Sequence, residues 1–485
     1  MSAAMRADPA AIVQQGLLLR QRGDNSGASR AFGDALARAP GHWPALLERG
    51  ILRLDTGDNA GALKDLRACV QLAPAQARAW LYLGNAENAA GDADAAMGSF
   101  QKALEIEPCF AQAHYNRGVI HFHAGRLEAA VDAYRAAVAY QPGFALAHSN
   151  LGVALEAMGD TPAAFAAYDA AILADHNHPS AHWNKALALL RNGRFAEGWR
   201  MYEWRWLAGQ ATPYRQFRGR PLWLGGRNLA GRSILLHAEQ GLGDTIQFAR
   251  YAPLLAAQGA HVVLEVFQPL VALCKDLPGV ARVIGAGEAL PATEFHCPLM
   301  SLPLALGTTM ETIPAEVPYL AEPEDRRAPW TARLGERPRR RIAFAWKGSP
   351  KHEADRLRSV PLEVFAALFS KAAEFVCLQR DISQAEAAIL ASYPAIRHFG
   401  AALADFSDTA AVLANCDLVI SVDTALAHLA GAMAKPTWLL LPRRAEWRWL
   451  KQGETSAWYP TMRLFRAEKE ADWPTVISNV AAALQ

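Results

Sequence analysis

The sequence predicts an all-α solenoid followed by two α/β lobes, each built on a parallel sheet. Three observations carry this. A 34-residue period runs through roughly the first 200 residues, and from residue 233 short apolar runs alternate with helical patterns. A proline-rich stretch, 313-IPAEVPYLAEPEDRRAPW-330, then divides the second half in two. A chain of 485 residues has room for about three domains, and a 52% hydrophobic composition supplies sizeable cores and excludes wholesale disorder. The formal net charge of +2 gives no global footprint for nucleic acid or an anionic membrane. The basic cluster 337-RPRRR-341 reads as a solvated linker edge. Six scattered cysteines without a C-x-x-C fit a reducing compartment and supply no metal or disulfide framework. The first 16 residues lack a signal-peptide apolar core. No run reaches the roughly 18 apolar residues of a membrane span, so the expectation is a cytoplasmic protein with no transmembrane segment.

The repeats come first. Glycine stands at 23, 57, 91, 125, 159 and 193, each 34 residues after the last. Further columns hold Gly16, Gly50, Gly84, Gly118, Gly152 and then Ala186; Pro40, Pro74, Pro108, Pro142 and then His176; Ala28, Ala62, Ala96, Ala130 and Ala164; and Phe32, Leu66, Phe100, Tyr134, Tyr168 and Tyr202. Small residues let the two helices of a unit cross closely, and the aromatic is expected between units. The mid-repeat glycine supports a turn and the proline closes the second helix. These columns resemble the tetratricopeptide repeat, whose period is 34, and give about six units between residues 9 and 206. The resemblance implies a concave groove that holds a peptide or protein.

Asn116, Asn150 and Asn184 recur on the first helix of successive repeats. A ladder of carboxamides both donates to and accepts from an extended backbone without reading side chains. Exposed or capping asparagines are the other reading. The column is similar to the asparagine ladder of the O-linked N-acetylglucosamine transferase repeats, although Gln14, Glu48 and Tyr82 fill the upstream positions. His114, His148 and His182 share the spacing; residues one repeat apart are too distant for one metal ion, so packing or groove lining is expected.

After a Gly-, Pro- and Arg-rich connector at 207–231, the first lobe is expected over 232–318. Its strands are 233-SILLHA-238, 261-HVVLEVF-267 and 281-ARVIGAG-287, and its main helix is 245-TIQFARYAPLLAAQG-259. A linker at 319–338 leads to the second lobe at 339–485. That lobe has strands 341-RIAFAW-346, 374-EFVCLQ-379, 417-DLVISVD-423 and 436-PTWLLLP-442, with helices at 361–373, 409–416 and 424–435. Strands alternating with helices give parallel sheets that bind ligands at the carboxyl ends of the strands.

Two motifs narrow the reading. The pair 240-QGLGDTIQF-248 and 419-VISVDTALAHLAGAMAKP-436 resembles glycosyltransferase family 9, the bacterial heptosyltransferases. That family carries Gly-Asp at the first strand-to-helix turn and Asp-Thr/Ser-Gly-Leu-x-His-Leu in its second lobe. In the second motif Ala425 replaces the glycine. The resemblance covers about residues 232–485 and implies a GT-B fold of twin Rossmann-like lobes. The whole layout resembles the repeat-fused bacterial glycosyltransferases, including those that modify flagellin.

Asp244 occupies what would be a phosphate-cradling turn. A dinucleotide fingerprint fails there, because Ile246 takes the place of its third glycine and a carboxylate beside pyrophosphate is repulsive. Two readings remain and are compatible: an N-cap for a helix starting near Thr245, or a general base facing the cleft. The family resemblance implies the base. On that reading Gly241, Gly243 and Gln247 form the acceptor-side turn, and the donor phosphates belong in the second lobe. There a strand enters a helix at 422-VDTALAHLAG-431, whose first amides and dipole suit a diphosphate. Thr424 and Ala425 would present amides, with Asp423 and His428 holding donor oxygens; a capped buried helix with a core histidine is the other reading. The loop 347-KGSPKHEADRLRS-359 offers Lys347, Lys351, Arg356 and Arg358 to neutralise a departing nucleotide, or is simply a solvated charged loop. Trp447, Trp449, Trp458 and Tyr459 are either stacking groups or core. No pair of neighbouring acids in the second half reads as a metal–nucleotide motif, and Asp92 and Asp94 in the repeats read as an exposed turn.

The expected function is therefore metal-independent transfer from a nucleotide sugar, with no other cofactor, to a protein held by the repeats; flagellin is one candidate. Two alternatives stay open: a non-catalytic adaptor with a degenerate transferase module, and a transferase acting on an envelope glycan.

Overall fold

The computed structural model describes residues 8–210, 219–349, 355–369 and 373–485. The chain divides into two compact units, Met1–Asn184 and Lys185–Gln485. In the first unit the 34-residue period becomes consecutive helix pairs: Pro9–Gln21 with Asn25–Arg38, Trp43–Asp55 with Asn59–Leu72, Ala77–Ala89 with Ala93–Ile106, Ala111–His123 with Leu127–Tyr140, and Ala145–Met158 with Thr161–Ala174. Each second helix needs a sharp entry. Gly23, Gly57, Gly91, Gly125 and Gly159 provide it with φ between 72° and 94°, a region that a Cβ disfavours. Asp24, Asp58, Asp92 and Asp160 then accept from the amide three residues on, satisfying one orphan donor at each helix start.

The other glycine column sets how closely the paired helices approach. A Cβ at Gly84 would lie 2.5 Å from Phe100 Cε1, and one at Gly118 would lie 2.6 Å from the Tyr134 ring. The large residue therefore sits on the glycine of its own repeat, not between units as the sequence suggested. The histidine column has a defined task. Nε2 of His114, His148 and His182 lies 2.9 Å from the carbonyl oxygen six residues earlier, at Pro108, Pro142 and His176. Trp80 Nε1 donates to Pro74 in the same way at 2.8 Å. These side chains pin the turn between repeats.

In the second unit, strands β1 (Ser233–His237), β2 (His261–Val266), β3 (Val280–Gly285) and β4 (Phe295–Pro298) form a parallel sheet in the order β3-β2-β1-β4. A second parallel sheet contains β5 (Arg340–Ala345), β6 (Ala373–Cys377), β7 (Arg397–His398), β8 (Leu418–Val422), β9 (Thr437–Leu441) and β10 (Met462–Arg466), in the order β10-β9-β8-β5-β6-β7. Ile342, Phe344, Leu418, Ile420 and Val422 fill its core with the C-terminal helix Trp473–Leu484. Central parallel strands are covered on both faces, which is why they read as unbroken apolar runs.

Helix Phe195–Tyr202, which carries Tyr202, the sixth member of the large-residue column, belongs to the second unit. Trp199 is buried with its ring centroid 5.2 Å from that of Trp447 and 6.2 Å from that of Phe248. Just beyond this helix, the fully buried Arg205 donates Nε and Nη2 to the Glu239 carboxylate at 3.0–3.1 Å, and Nη2 also reaches Ser301 Oγ at 2.7 Å. Glu239 in turn accepts from Met300 N at 3.1 Å. The loop from β1 to the next helix thus starts from a fixed point. Burial, partly offset by Arg205, pushes the Glu239 carboxyl up to about 7.

Candidate active site

A cleft of about 600 Å³ opens at the carboxyl ends of strands from both sheets, lined on one side by Gln240–Asp244 and on the other by Lys347, Arg358, Asp423–Leu426, His428 and Arg448. Two helix N-termini meet there, Leu242–Ala249 after β1 and Ala425–Ala432 after β8. They are finished differently. The first helix begins at Leu242, with Gly241 as its cap; it was expected to begin near Thr245. Asp244 is thereby its third residue and caps from inside. Its Oδ2 accepts from Gly241 N at 2.7 Å, and its Oδ1 pairs with Arg448 Nη2. This helix end carries its own anion.

The second helix end is open. Thr424 occupies the cap position without a side-chain capping bond; its Oγ1 lies 3.2 Å from Ser421 Oγ instead. Among the described residues the Ala425 and Leu426 amides meet no acceptor, while those of Ala427 and His428 turn back to the Thr424 carbonyl. Unpaired amides at the positive end of a helix make an anion site. Gly243 brings the two ends together: a Cβ there would lie 2.9 Å from His428 Cδ2 and 3.5 Å from the Ala425 Cα.

His428 is buried, with Nδ1 3.0 Å from the Tyr459 hydroxyl and its ring stacked on Trp449 at 5.4 Å. Burial, with Arg448, Arg250 and Arg358 nearby, pushes its proton affinity well below the usual imidazole range, so the ring is neutral at physiological pH. Its Nε2 is 3.8 Å from Asp423 Oδ1. Burial first, then Glu446, pushes the Asp423 carboxyl up to about 6.

Lys347, two residues beyond β5, lines the cleft, and its Nζ is 2.5 Å from Glu386 Oε2. Although burial works in the other direction, hydrogen bonds from Lys347, the Ser383 backbone and Trp346 bring the Glu386 carboxyl down to about 2. Arg358 also lines the cleft and donates Nε to Asp355 at 3.2 Å. The Arg356 side chain and Lys351 lie outside the described residues.

Gln247, expected beside the acceptor, is fully buried behind the turn, where its Oε1 accepts from Arg448 Nε at 2.7 Å. It sits one helical turn from Asp244 and supports the wall without lining it. Trp447, Trp449, Trp458 and Tyr459 are each 0–1% exposed and belong to the core. Arg448 itself was missed, because the run 446-EWRWL-450 drew attention to its tryptophans. A charged residue between two core aromatics was the available signal.

The asparagine column, in the first unit, is half-buried and faces the preceding repeat. Nδ2 of Asn116, Asn150 and Asn184 donates to Asn85 Oδ1, the Tyr115 hydroxyl and Ser149 Oγ at 2.6, 3.0 and 3.2 Å. Each amide is oriented by that bond.

Comparison with known proteins finds two kinds of family in the chain. Tetratricopeptide repeat families match residues 13–76, 47–108, 99–132, 120–159 and 149–198. Glycosyltransferase family 9 (heptosyltransferase) matches residues 361–440. Protein FlbA of Caulobacter vibrioides is 29% identical over 320 residues, covering 60% of this chain and 53% of that protein. The chain thus spans about half the length of the curated relative it matches. Similar solved structures include the crystal structure of MamA, at 28% identity and TM-score 0.31 over 33% of this chain and 94% of that one. A thermophilic TPR protein of Thermus thermophilus matches at 22% identity and TM-score 0.33, over 38% and 99%. No helix among the described residues is long and apolar enough to cross a membrane. The chain carries tetratricopeptide repeats in its N-terminal region, which support protein interaction, and a C-terminal glycosyltransferase family 9 domain, which supports glycosyltransferase activity.

Proposed function

We propose that this chain transfers a sugar from a nucleotide sugar to a hydroxyl of a protein acceptor recruited by the repeats. The observation that carries the reading is the pair of unlike helix ends in one cleft, one closed by Asp244 and the other offering the free Ala425 and Leu426 amides. Asp244 takes the proton of the acceptor hydroxyl while its oxygen bonds to the anomeric carbon. The bond from that carbon to the donor phosphate breaks, and the nucleotide leaves as its diphosphate. Its charge is met by the two free amides and the helix dipole; Lys347, paired with Glu386, lies on the same wall, and Asp423 and His428 are read as partners for donor hydroxyls. Because chain groups supply the positive charge, we read the transfer as metal-independent. The two parallel sheets facing one cleft support a GT-B fold, with the first lobe binding acceptor and the second binding donor.

The oriented carboxamides of Asn116, Asn150 and Asn184 support a protein in the repeat groove, and flagellin is the acceptor we would test first. Six free cysteines support a reducing compartment such as the cytoplasm, where nucleotide sugars are available. The test compares intact masses of proteins captured by the full-length chain from wild-type and Asp244→Ala cells. A glycosyl-sized increment present only with the wild type is expected. Identical masses would refute protein glycosylation of those partners. Altered envelope glycolipid would move the acceptor to a glycan, and nucleotide-sugar binding without turnover would make the chain an adaptor.

A further inference from the structure

We infer that Arg448 is a positioning residue for Asp244, supplied by the opposite lobe, so that the base is set only when the two lobes are together. The inference rests on the transferase reading above. Arg448 lies between β9 and β10 of the second lobe, whereas Asp244 and Gln247 lie on the helix after β1 of the first. Residues three apart share one face of a helix, and the guanidinium grips both: Nη2 pairs with Asp244 Oδ1, and Nε donates to Gln247 Oε1 at 2.7 Å. Nη1 donates to Glu446 Oε2 at 2.7 Å. The group is 6% exposed and lies 4.3 Å over the Trp447 ring.

An arginine that clamps a phosphate presents its fork to the ligand. Here every nitrogen of the fork already has a partner in the chain, and an aromatic face fixes its plane. What the fork orients is the carboxylate. Asp244 Oδ2 is tied to Gly241 N on one side and Oδ1 to Arg448 on the other. The carboxylate plane is therefore set from two directions, while Asp244 still lines the cleft. A base held this way meets an incoming hydroxyl in one geometry, and small displacements of such a group cost about 100-fold in rate.

The test uses full-length Arg448→Met, which keeps an apolar stem on Trp447 and removes the charge, together with Arg448→Lys. A positioning role predicts a kcat loss of about 100-fold in Arg448→Met with the nucleotide-sugar KM within about twofold. Arg448→Lys should fall between, since an ammonium cannot hold Asp244 and Gln247 together. Gln247→Leu leaves Arg448 in place and removes one anchor, so it reads the same effect if Arg448→Met fails to fold; kcat should drop at unchanged KM. A raised donor KM with unchanged kcat would overturn the inference and make Arg448 a substrate-binding group. A double-mutant cycle with Asp244→Asn, read by urea midpoints, separates this from the parent reading. The double variant should shift the midpoint by less than the two single shifts added together; strict additivity would overturn the pair. Wild-type protein inactive on every nucleotide sugar would refute the transferase reading, and the midpoint cycle would still decide the pair.

Discussion

Gly243→Ala is expected to cost turnover before it costs the fold. The added methyl would sit 2.9 Å from His428 Cδ2, where carbon atoms prefer about 3.5–4.0 Å. His428 cannot yield, because it is buried, stacked on Trp449 and bonded to Tyr459. The Ala425 Cα lies 3.5 Å from the same point, so relief comes from moving one helix start away from the other. Overpacking of this kind costs about 1–3 kcal/mol, and replacing a helical glycine by alanine returns about 1 kcal/mol. The net loss, about 0–2 kcal/mol, is within what a domain of this size tolerates. The same displacement separates Asp244, one residue away, from the open Ala425 and Leu426 amides, and it falls on the reacting geometry, where it costs up to about 100-fold. Steady-state transfer and a thermal melt on one preparation give both quantities. An alanine variant with wild-type turnover and melting would refute the tight approach of the two helix ends.

The Asp423 carboxyl is raised from 3.8 to about 6 in the folded protein. The folded state therefore holds its proton more tightly than the unfolded chain does. Stability from this group is present below about pH 4 and lost as pH rises through 6, by about 3 kcal/mol at most. Urea midpoints of Asp423→Asn should gain on the wild type across that window, and parallel curves would contradict the assignment. In the repeats, His148→Ala removes the bond to the Pro142 carbonyl and should cost about 0.5–1 kcal/mol. His148→Trp should restore it, since Trp80 makes the same bond; urea unfolding of both variants checks this. Replacing Asn116, Asn150 or Asn184 by alanine should weaken acceptor binding about 2- to 10-fold per rung with donor KM unchanged. Equal acceptor affinity in the triple variant would take the ladder out of recognition.

The repeats were legible because one constraint recurs: a close helix crossing needs a glycine under a large side chain, and a sharp turn needs positive φ, at each interval of 34. The seven strands expected in the second half all form, because buried parallel strands read as continuous apolar runs. Strands β4, β7 and β10 were not expected. β7 has only two residues, β4 only four, and β10 lies just beyond Trp458 and Tyr459, a stretch read only for its aromatic side chains. In the site, single positions were legible and pairings were not. Asp244 stood out because a carboxylate in a glycine turn is unusual, but its partner lies 204 residues away and no local pattern links the two. Gln247 looked like a turn residue facing the acceptor, and only three-dimensional packing shows that it faces Arg448.

The most direct measurement is release of nucleoside diphosphate from a panel of nucleotide sugars by full-length wild-type and Asp244→Asn protein, with nucleotide affinity measured alongside. Wild-type turnover on at least one donor, a kcat about 10²- to 10⁴-fold lower in the variant and nucleotide affinity within about twofold would be the signature of a base on the acceptor side. Equal turnover by the two proteins would contradict it and leave Asp244 as the residue that caps its own helix.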